Sequence, residues 1–275
     1  MKHNTLIVRF FYQTRIGRLL LKLIQISHVE WLAILFLFSP LSWPLVALHI
    51  LRHGLLPEER PARPFRSWQE FFSRTRRDTR VDDAPDHLIS PCDGWLSVCP
   101  VREDSSFAIK GSHYRLEDLL RDGSLARNYH GGDCLIFRLC ASDYHRYCYI
   151  DDGYQGKHHY IRGVLHSVQP IACETYPVYT LNRRCWSLLT TEHFGPVVQT
   201  EVGALIVGGI FNRLQNARFR KGMEKGHFEL AGSTITLLFE KGRIRLREEL
   251  LRQLETEGEV RVRQGMWIAD RSHSG

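Results

Sequence analysis

The segment richest in chemical possibility lies near the C-terminus, where residues 221–239 read KGMEKGHFELAGSTITLLF and set Gly232 and Ser233 directly before an apolar run of strand character. A serine hydroxyl becomes a nucleophile when a base takes its proton, and a histidine oriented by a carboxylate does this near neutral pH. Ser233, His145 and Asp93 supply the residue types for such a set. A serine hydrolase built on them lacks its elbow, because there is no GxSxG pattern, and a glycine-rich phosphate loop and an HExxH zinc motif are missing too. Taken alone, a Gly-Ser pair is a turn, since both residues favour turns for local reasons.

The elements that must hold these residues follow from the pattern of apolar runs. Short runs at 133–139, 186–190, 204–210 and 233–239 are separated by Gly, Asn and Asp, which predicts a β-rich α+β domain over residues 87–275. Helices are minor there, one near Ser112–Leu120 and one near Arg247–Glu257 that stops at Gly258. Residues 56–86, rich in Pro, Arg and Asp, read as a linker with one short helix near Trp68–Ser73.

Residues 1–55 read as a membrane-associated helical region. Trp31–Leu51 contains no Lys, Arg, Asp or Glu and just reaches the length of a bilayer-spanning helix. Pro40 and Pro44 would kink or interrupt that helix, so a bent or monotopic insertion competes with a span. Leu6–Ile26 alternates apolar and basic residues, as suits a helix lying along an anionic surface. A pair of ordinary buried helices is the alternative. A signal peptide is disfavoured, because the apolar run starts far from the N-terminus and no small-residue cleavage site follows it.

The chain has 275 residues, 43% of them hydrophobic, which is ample for a packed core and excludes a disordered tail. Its net charge of +7 admits nucleic acid or an anionic lipid surface as partner. The basic residues favour the lipid, clustering around the apolar region at Lys2, Arg9, Arg15, Arg18 and Lys22 and again from Arg52 to Arg80, with no nucleic-acid-binding motif beside them. Basic residues on both flanks leave the orientation open. Seven cysteines, an odd number without CxxC or zinc spacing, read as reduced and mostly buried thiols of a cytosol-facing protein, with no metal site.

Seven segments in order then resemble the phosphatidylserine decarboxylase family from about Ser67 onward. They are SWQEFFSR at 67–74, SPCDG at 90–94, IKGSHYRLEDLL at 109–120, FRLCASDYHRY at 137–147, TEHFG at 191–195, VGALIVGGI at 202–210 and KGMEKGHFELAGST at 221–234. The resemblance implies a precursor that cuts itself between Gly232 and Ser233, leaving a β chain of residues 1–232 and an α chain of residues 233–275. Ser233 would become a pyruvoyl group, a pyruvate-derived cofactor made from the chain itself, whose ketone takes up the substrate amine and accepts electrons as the carboxylate leaves. Asp93 and His145 match the positions that assist Ser233 as a charge relay. The implied substrate is phosphatidylserine in an anionic membrane, the product phosphatidylethanolamine, the location the cytoplasmic side of the cell membrane, and the assembly a homodimer of the two-chain unit.

Two departures from the family pattern bear on roles. Cys148 stands where some members carry a second histidine three residues after the DYHR histidine, so His145 would serve both cleavage and protonation, or His166 or His193 would share the work. Ala231 precedes the Gly-Ser pair where a bulkier apolar residue or Gly is common. Two rivals are a relative that decarboxylates a free amino acid, which would have little use for Trp31–Leu51, and a non-catalytic tethered module, which need not keep Asp93, His145, Gly232 and Ser233 together.

Overall fold

The structure is a computed structural model and describes residues 6–27, 30–104, 106–109, 112–164, 166–204, 209–230 and 233–272. Helices α1 (Leu6–Gln13) and α2 (Arg15–Ser27) bury Val8, Tyr12 and Leu21 while leaving Ile16, Leu19 and Leu23 exposed. Helix α3 (Glu30–Phe38) ends before a 3-10 turn at Pro40–Ser42, and α4 (Trp43–His53) follows at once. The two halves of the apolar run bend by 82° at that break. The prolines explain it: Pro40 opens the 3-10 turn, and Pro44 sits in the first turn of α4, where its missing N–H is no loss. Among the described residues no single helix is long and apolar enough to cross a membrane.

Parts of the stretch from Leu56 to Asp86 are buried, although residues 60–64 and 77–78 are exposed. Its helix α5 (Trp68–Phe72) is capped by Ser67, whose Oγ accepts the Glu70 N–H, and it buries Phe71 and Phe72. Glu59, Phe65 and Arg74 are buried as well.

Strand β1 (His87–Ile89) and strand β2 (Gly94–Pro100) open the β-rich part, followed by a hairpin of β3 (Ser106–Ile109) and β4 (Ser112–Arg115). Next come the short helices α6 (Leu116–Leu120) and α7 (Gly123–Arg127), then β5 (Asp133–Leu139), β6 (Arg146–Cys148) and β7 (Gly153–Ile161). Helices α8 (Pro170–Thr175) and α9 (Val178–Leu181) precede the hairpin of β8 (Arg184–Thr191) and β9 (Pro196–Val202). Strands β10 (Gly209–Asn212), β11 (Ala217–Phe219), β12 (Glu224–Glu229), β13 (Ser233–Phe239) and β14 (Ile244–Leu246) lead to α10 (Glu248–Glu257). The chain closes with β15 (Val260–Val262) and β16 (Trp267–Arg271).

These strands build an eight-stranded antiparallel sheet in the order β11-β7-β8-β9-β13-β5-β2-β15, flanked by smaller sheets β10-β12-β6 and β1-β16-β14. Every residue of β13 is buried, as expected of a strand paired on both sides and covered on both faces. One face, with Ile235, Leu237 and Phe239, joins a core shared with Tyr147, Phe228 and Phe72; the other, with Leu238, joins a core closed by Tyr12, Leu116, Ile171 and Tyr179 from the helices.

The α+β architecture, β5 and β13 fall where the apolar runs place them. The helix at Ser112–Leu120 needs correction: residues 112–115 form a strand paired with β3, and only Leu116–Leu120 is helical, because Leu116, Leu119 and Leu120 alone offer a buried helical face. Helices α7, α8 and α9 add to the two expected. The run at 204–210 falls largely outside the described residues, with β10 beginning at Gly209. Helix α10 ends as read, with Gly258 at φ 75, a left-handed cap that glycine adopts without steric cost.

Candidate active site

The register of three adjacent strands brings the candidates to one end of the main sheet. Ser233, the first residue of β13, lies opposite Leu139, the last of β5, and Arg138 lies opposite Trp95 of β2. Asp93 therefore sits at the same sheet end, one residue before β2. Gly94 is required there by close approach, since a Cβ would stand 2.8 Å from the Arg138 carbonyl oxygen. Gly232 lies outside the described residues.

Ser233 is buried, and its Oγ has no hydrogen-bond partner among the described residues. Its side chain shares a face with Leu139 and points to the core that contains Phe72. His145 enters from the same side, its ring 3.8 Å from that of Phe72 and fully buried. His145 Nδ1 lies 2.9 Å from the Asp143 carbonyl oxygen. A carbonyl only accepts, so Nδ1 carries the proton and Nε2 keeps its lone pair. That Nε2 is buried without a partner among the described residues. Burial disfavours the imidazolium and lowers the pKa from 6.5 to about 4.

Asp93 is held from two directions. The Gln264 N–H donates to its Oδ1 at 2.9 Å, and the Arg76 guanidinium grips both oxygens, Nη1 at 3.0 Å from Oδ1 and Nη2 against Oδ2. Burial alone would raise the carboxyl pKa, but Arg76 outweighs it and the net shift is downward. Arg76 also binds Glu59 through Nε at 2.9 Å and Nη2 at 2.6 Å, and Glu59 binds Arg74 at 2.7 Å. Among the described residues no hydrogen bond joins Asp93 to His145, or His145 to Ser233; the histidine takes its tautomer from the Asp143 carbonyl.

The other candidates separate from this group. His193, in the β8–β9 turn, has both its N–H and its Nδ1 at 2.8 Å from the Asp151 carboxylate, and lies the length of β9 from Ser233, roughly 20 Å. His166 lies at the Ser233 end but on the opposite face, its Nδ1 3.2 Å from the Tyr12 hydroxyl. Cys148 is buried with its thiol pushed up to about 12 by burial, which rules it out as a base near neutral pH. None of the seven cysteines is in a disulfide, and six are buried.

Four features here escape sequence reading. Arg76, Glu59 and Asp143 act through contacts that no motif encodes. Leu230 is buried at φ 44, a left-handed conformation costing a β-carbon residue about 1–2 kcal/mol, two residues before Gly232. A GK, DG or NG signal would have announced a turn; a leucine does not.

Comparison with known proteins adds a family. The phosphatidylserine decarboxylase family model matches residues 68–269. Phosphatidylserine decarboxylase proenzyme 2 of Clostridium acetobutylicum is 38% identical over 266 residues, 96% of this chain and 91% of that protein. The phosphatidylserine decarboxylase proenzyme of Ruminiclostridium cellulolyticum is 38% identical over 75% of this chain and 70% of its own length, and that of Clostridium botulinum 37% identical over 72% and 69%. With a matching model across most of its length and a relative aligned almost from end to end, the chain belongs to the phosphatidylserine decarboxylase family.

Proposed function

We propose that this protein is a self-processing decarboxylase that cuts itself between Gly232 and Ser233 and converts phosphatidylserine to phosphatidylethanolamine. The observation that carries the reading is a pair of unspent groups in one buried layer: the Ser233 hydroxyl and the Nε2 lone pair of His145. Leaving a buried polar atom unpaired costs about 1–3 kcal/mol, and among the buried atoms without a partner these two pair a nucleophile's residue type with a base's on the same side of the main sheet.

In this reading His145 Nε2 takes the Ser233 Oγ proton as Oγ attacks the Gly232 carbonyl carbon. The Gly232–Ser233 C–N bond breaks, the proton passes to the freed nitrogen, and an ester replaces the amide. Loss of the Ser233 Cα proton then expels the Gly232 carboxylate, and uptake of water with release of ammonia leaves a ketone at the new N-terminus. The residues fit such a group: β13 is anchored on both sides by β5 and β9, so the freed end stays where Ser233 was. The ketone supplies the electron sink for loss of the substrate carboxylate. Asp93 acts here by stabilising positive charge at His145 through space, while the Asp143 carbonyl fixes the ring.

A lipid substrate suits the N-terminal region. Trp31, Leu35, Leu41, Trp43 and Leu51 are exposed on the bent pair and Ile16, Leu19 and Leu23 on α2, an apolar surface that a bilayer would cover. We read residues 1–55 as a monotopic membrane anchor, 56–86 as its tie to the catalytic domain at 87–275, and the location as the cytoplasmic side of the cell membrane. The working unit is the pair of cut chains, assembled further as a homodimer.

Intact-mass spectrometry of the purified protein tests the reading. Two chains are expected, one ending at Gly232 and one beginning about 17 Da lighter than an N-terminal serine, together with release of carbon dioxide from phosphatidylserine. A wild type that stays whole after expression in membranes would overturn it.

A further inference from the structure

The nucleophile and the base proposed for self-cleavage belong to two different layers. Ser233 lies on β13 of the main sheet. His145 directly precedes β6 of the smaller sheet β10-β12-β6, and the Phe228 N–H of β12 donates to the His145 carbonyl oxygen at 3.0 Å. The two layers share one apolar core, to which Ile235, Phe228 and Tyr147 contribute. Apolar packing keeps stacked sheets about 10 Å apart, but it is non-directional and leaves open how one layer is set sideways over the other.

An ion pair crosses between the layers beside β13. Lys225 Nζ of β12 lies 2.7 Å from Glu201 Oε1 of β9, and both side chains are fully buried. Glu201 stands opposite Ile235, so it shares the face of Ser233 and is its diagonal neighbour, roughly 7–8 Å away between α-carbons. Asn212 of β10 completes the contact: its Nδ2 donates to Glu201 Oε2 at 3.1 Å, and its Oδ1 accepts Lys225 Nζ at 3.1 Å. Gln199 Nε2 donates to Glu201 Oε1 at 3.1 Å.

The backbone of β12 departs from regularity to make this pair. Glu224 lies opposite Cys148 and Gly226 opposite Tyr147, so Lys225 has no partner residue on β6. Such a bulge re-aims a side chain; in strict alternation Lys225 would point away from the core that Phe228 enters. A buried ion pair stabilises little beyond what an apolar pair of the same volume would. What it adds is direction, because charge-assisted hydrogen bonds fix both partners in place. We infer that Lys225 and Glu201 are a positioning pair for self-cleavage, holding the layer that carries His145 in register over the strand that carries Ser233. The inference rests on the self-cleavage reading above.

The test follows cleavage of the full chain by gel after cell-free synthesis is stopped, in the presence of phosphatidylcholine and phosphatidylglycerol vesicles. Glu201→Gln/Lys225→Met removes both charges at similar volume. It is expected to cut about 100-fold more slowly than the wild type, the loss that about 1 Å of misplacement brings. Its unfolding midpoint, measured in uncut chains carrying Ser233→Ala, should stay close to that of Ser233→Ala alone. Lys225→Met by itself should lose both, since Glu201 is left buried without its cation. Hydroxylamine, which cuts an ester but not an amide, should not restore the rate, because the slowed step is the acyl shift. A double variant that keeps both its midpoint and its cleavage rate would reduce the pair to a structural contact and overturn the inference, as would full rescue by hydroxylamine. If the double variant does not fold, Asn212→Ala at the partly exposed rim decides: slowing of about fivefold or more supports the pair's role, and anything less overturns it. A wild type that stays whole under the same conditions would instead refute the self-cleavage reading itself.

Discussion

The two ends of the eight-stranded sheet each set a histidine near a buried aspartate, and they differ in what remains unspent. At the β8–β9 turn, His193 gives its backbone N–H and its ring nitrogen to the two oxygens of Asp151, and the account closes there. At the β13 end, Asp93 is committed to Arg76 and Gln264, while His145 Nε2 and Ser233 Oγ are buried without a partner among the described residues. The first arrangement stabilises a turn. The second leaves a hydroxyl and a ring nitrogen available for the self-cleavage proposed above.

The sharpest way to break this contrast is Ser233→Ala, which is expected to abolish self-cleavage and leave one uncut chain by intact mass. His145→Gln keeps a polar side chain but no base, and should slow cleavage about 10²–10⁴-fold in a time course followed by gel or mass. Asp93→Asn breaks a buried pair while leaving Arg76 its contact with Glu59, so a loss of about 3 kcal/mol in denaturant unfolding is expected.

A pH series sharpens the same point. Folded His145 resists protonation down to about 4 whereas the unfolded ring titrates near 6.5, so the unfolded state binds more protons in between. This contribution to stability is full above about 6.5 and is lost as the pH falls toward 4. The cleavage rate should accordingly hold level from neutrality to about pH 5 and fall near 4, rather than near 6.5. The smallest effect belongs to the other end: His193→Gln should leave cleavage within about twofold and cost on the order of 1 kcal/mol, because Asp151 keeps the backbone N–H. A cleavage defect in His193→Gln as large as that of His145→Gln would erase the distinction between the two ends.

What was legible in the sequence followed from short-range pattern. Continuous apolar runs marked β5 and β13 to the residue because strands buried on both faces have no polar alternation to blur them, and Gly258 marked the end of α10 through its backbone freedom. Residues 112–115 misled, since a tyrosine followed by leucines satisfies a helical period although Tyr114 belongs to a hairpin. The site was legible in its members through family resemblance, but not in its wiring. Arg76 reaches Asp93 from a stretch that reads as a linker, and composition cannot distinguish a solvated arginine from a buried one. Lys225 makes the same point: in the sequence it is one more basic residue beside a glycine, and in the fold it is fully buried, 2.7 Å from Glu201.

If the chain is cut before Ser233 as proposed above, the central position of β13 has a consequence for the cut protein. A break just before Ser233 divides the chain at the edge of a strand that is hydrogen-bonded to β5 on one side and β9 on the other, and strands β14 to β16 on the same fragment are laced into two sheets. The two fragments of such a cut would fold as one chain and never have to find each other, so their union would involve no encounter and no dependence on concentration. Separating them means unzipping the molecule through its middle, a barrier of the size of global unfolding. Diluting the cut protein far below any ordinary dissociation constant should therefore leave the fragments paired.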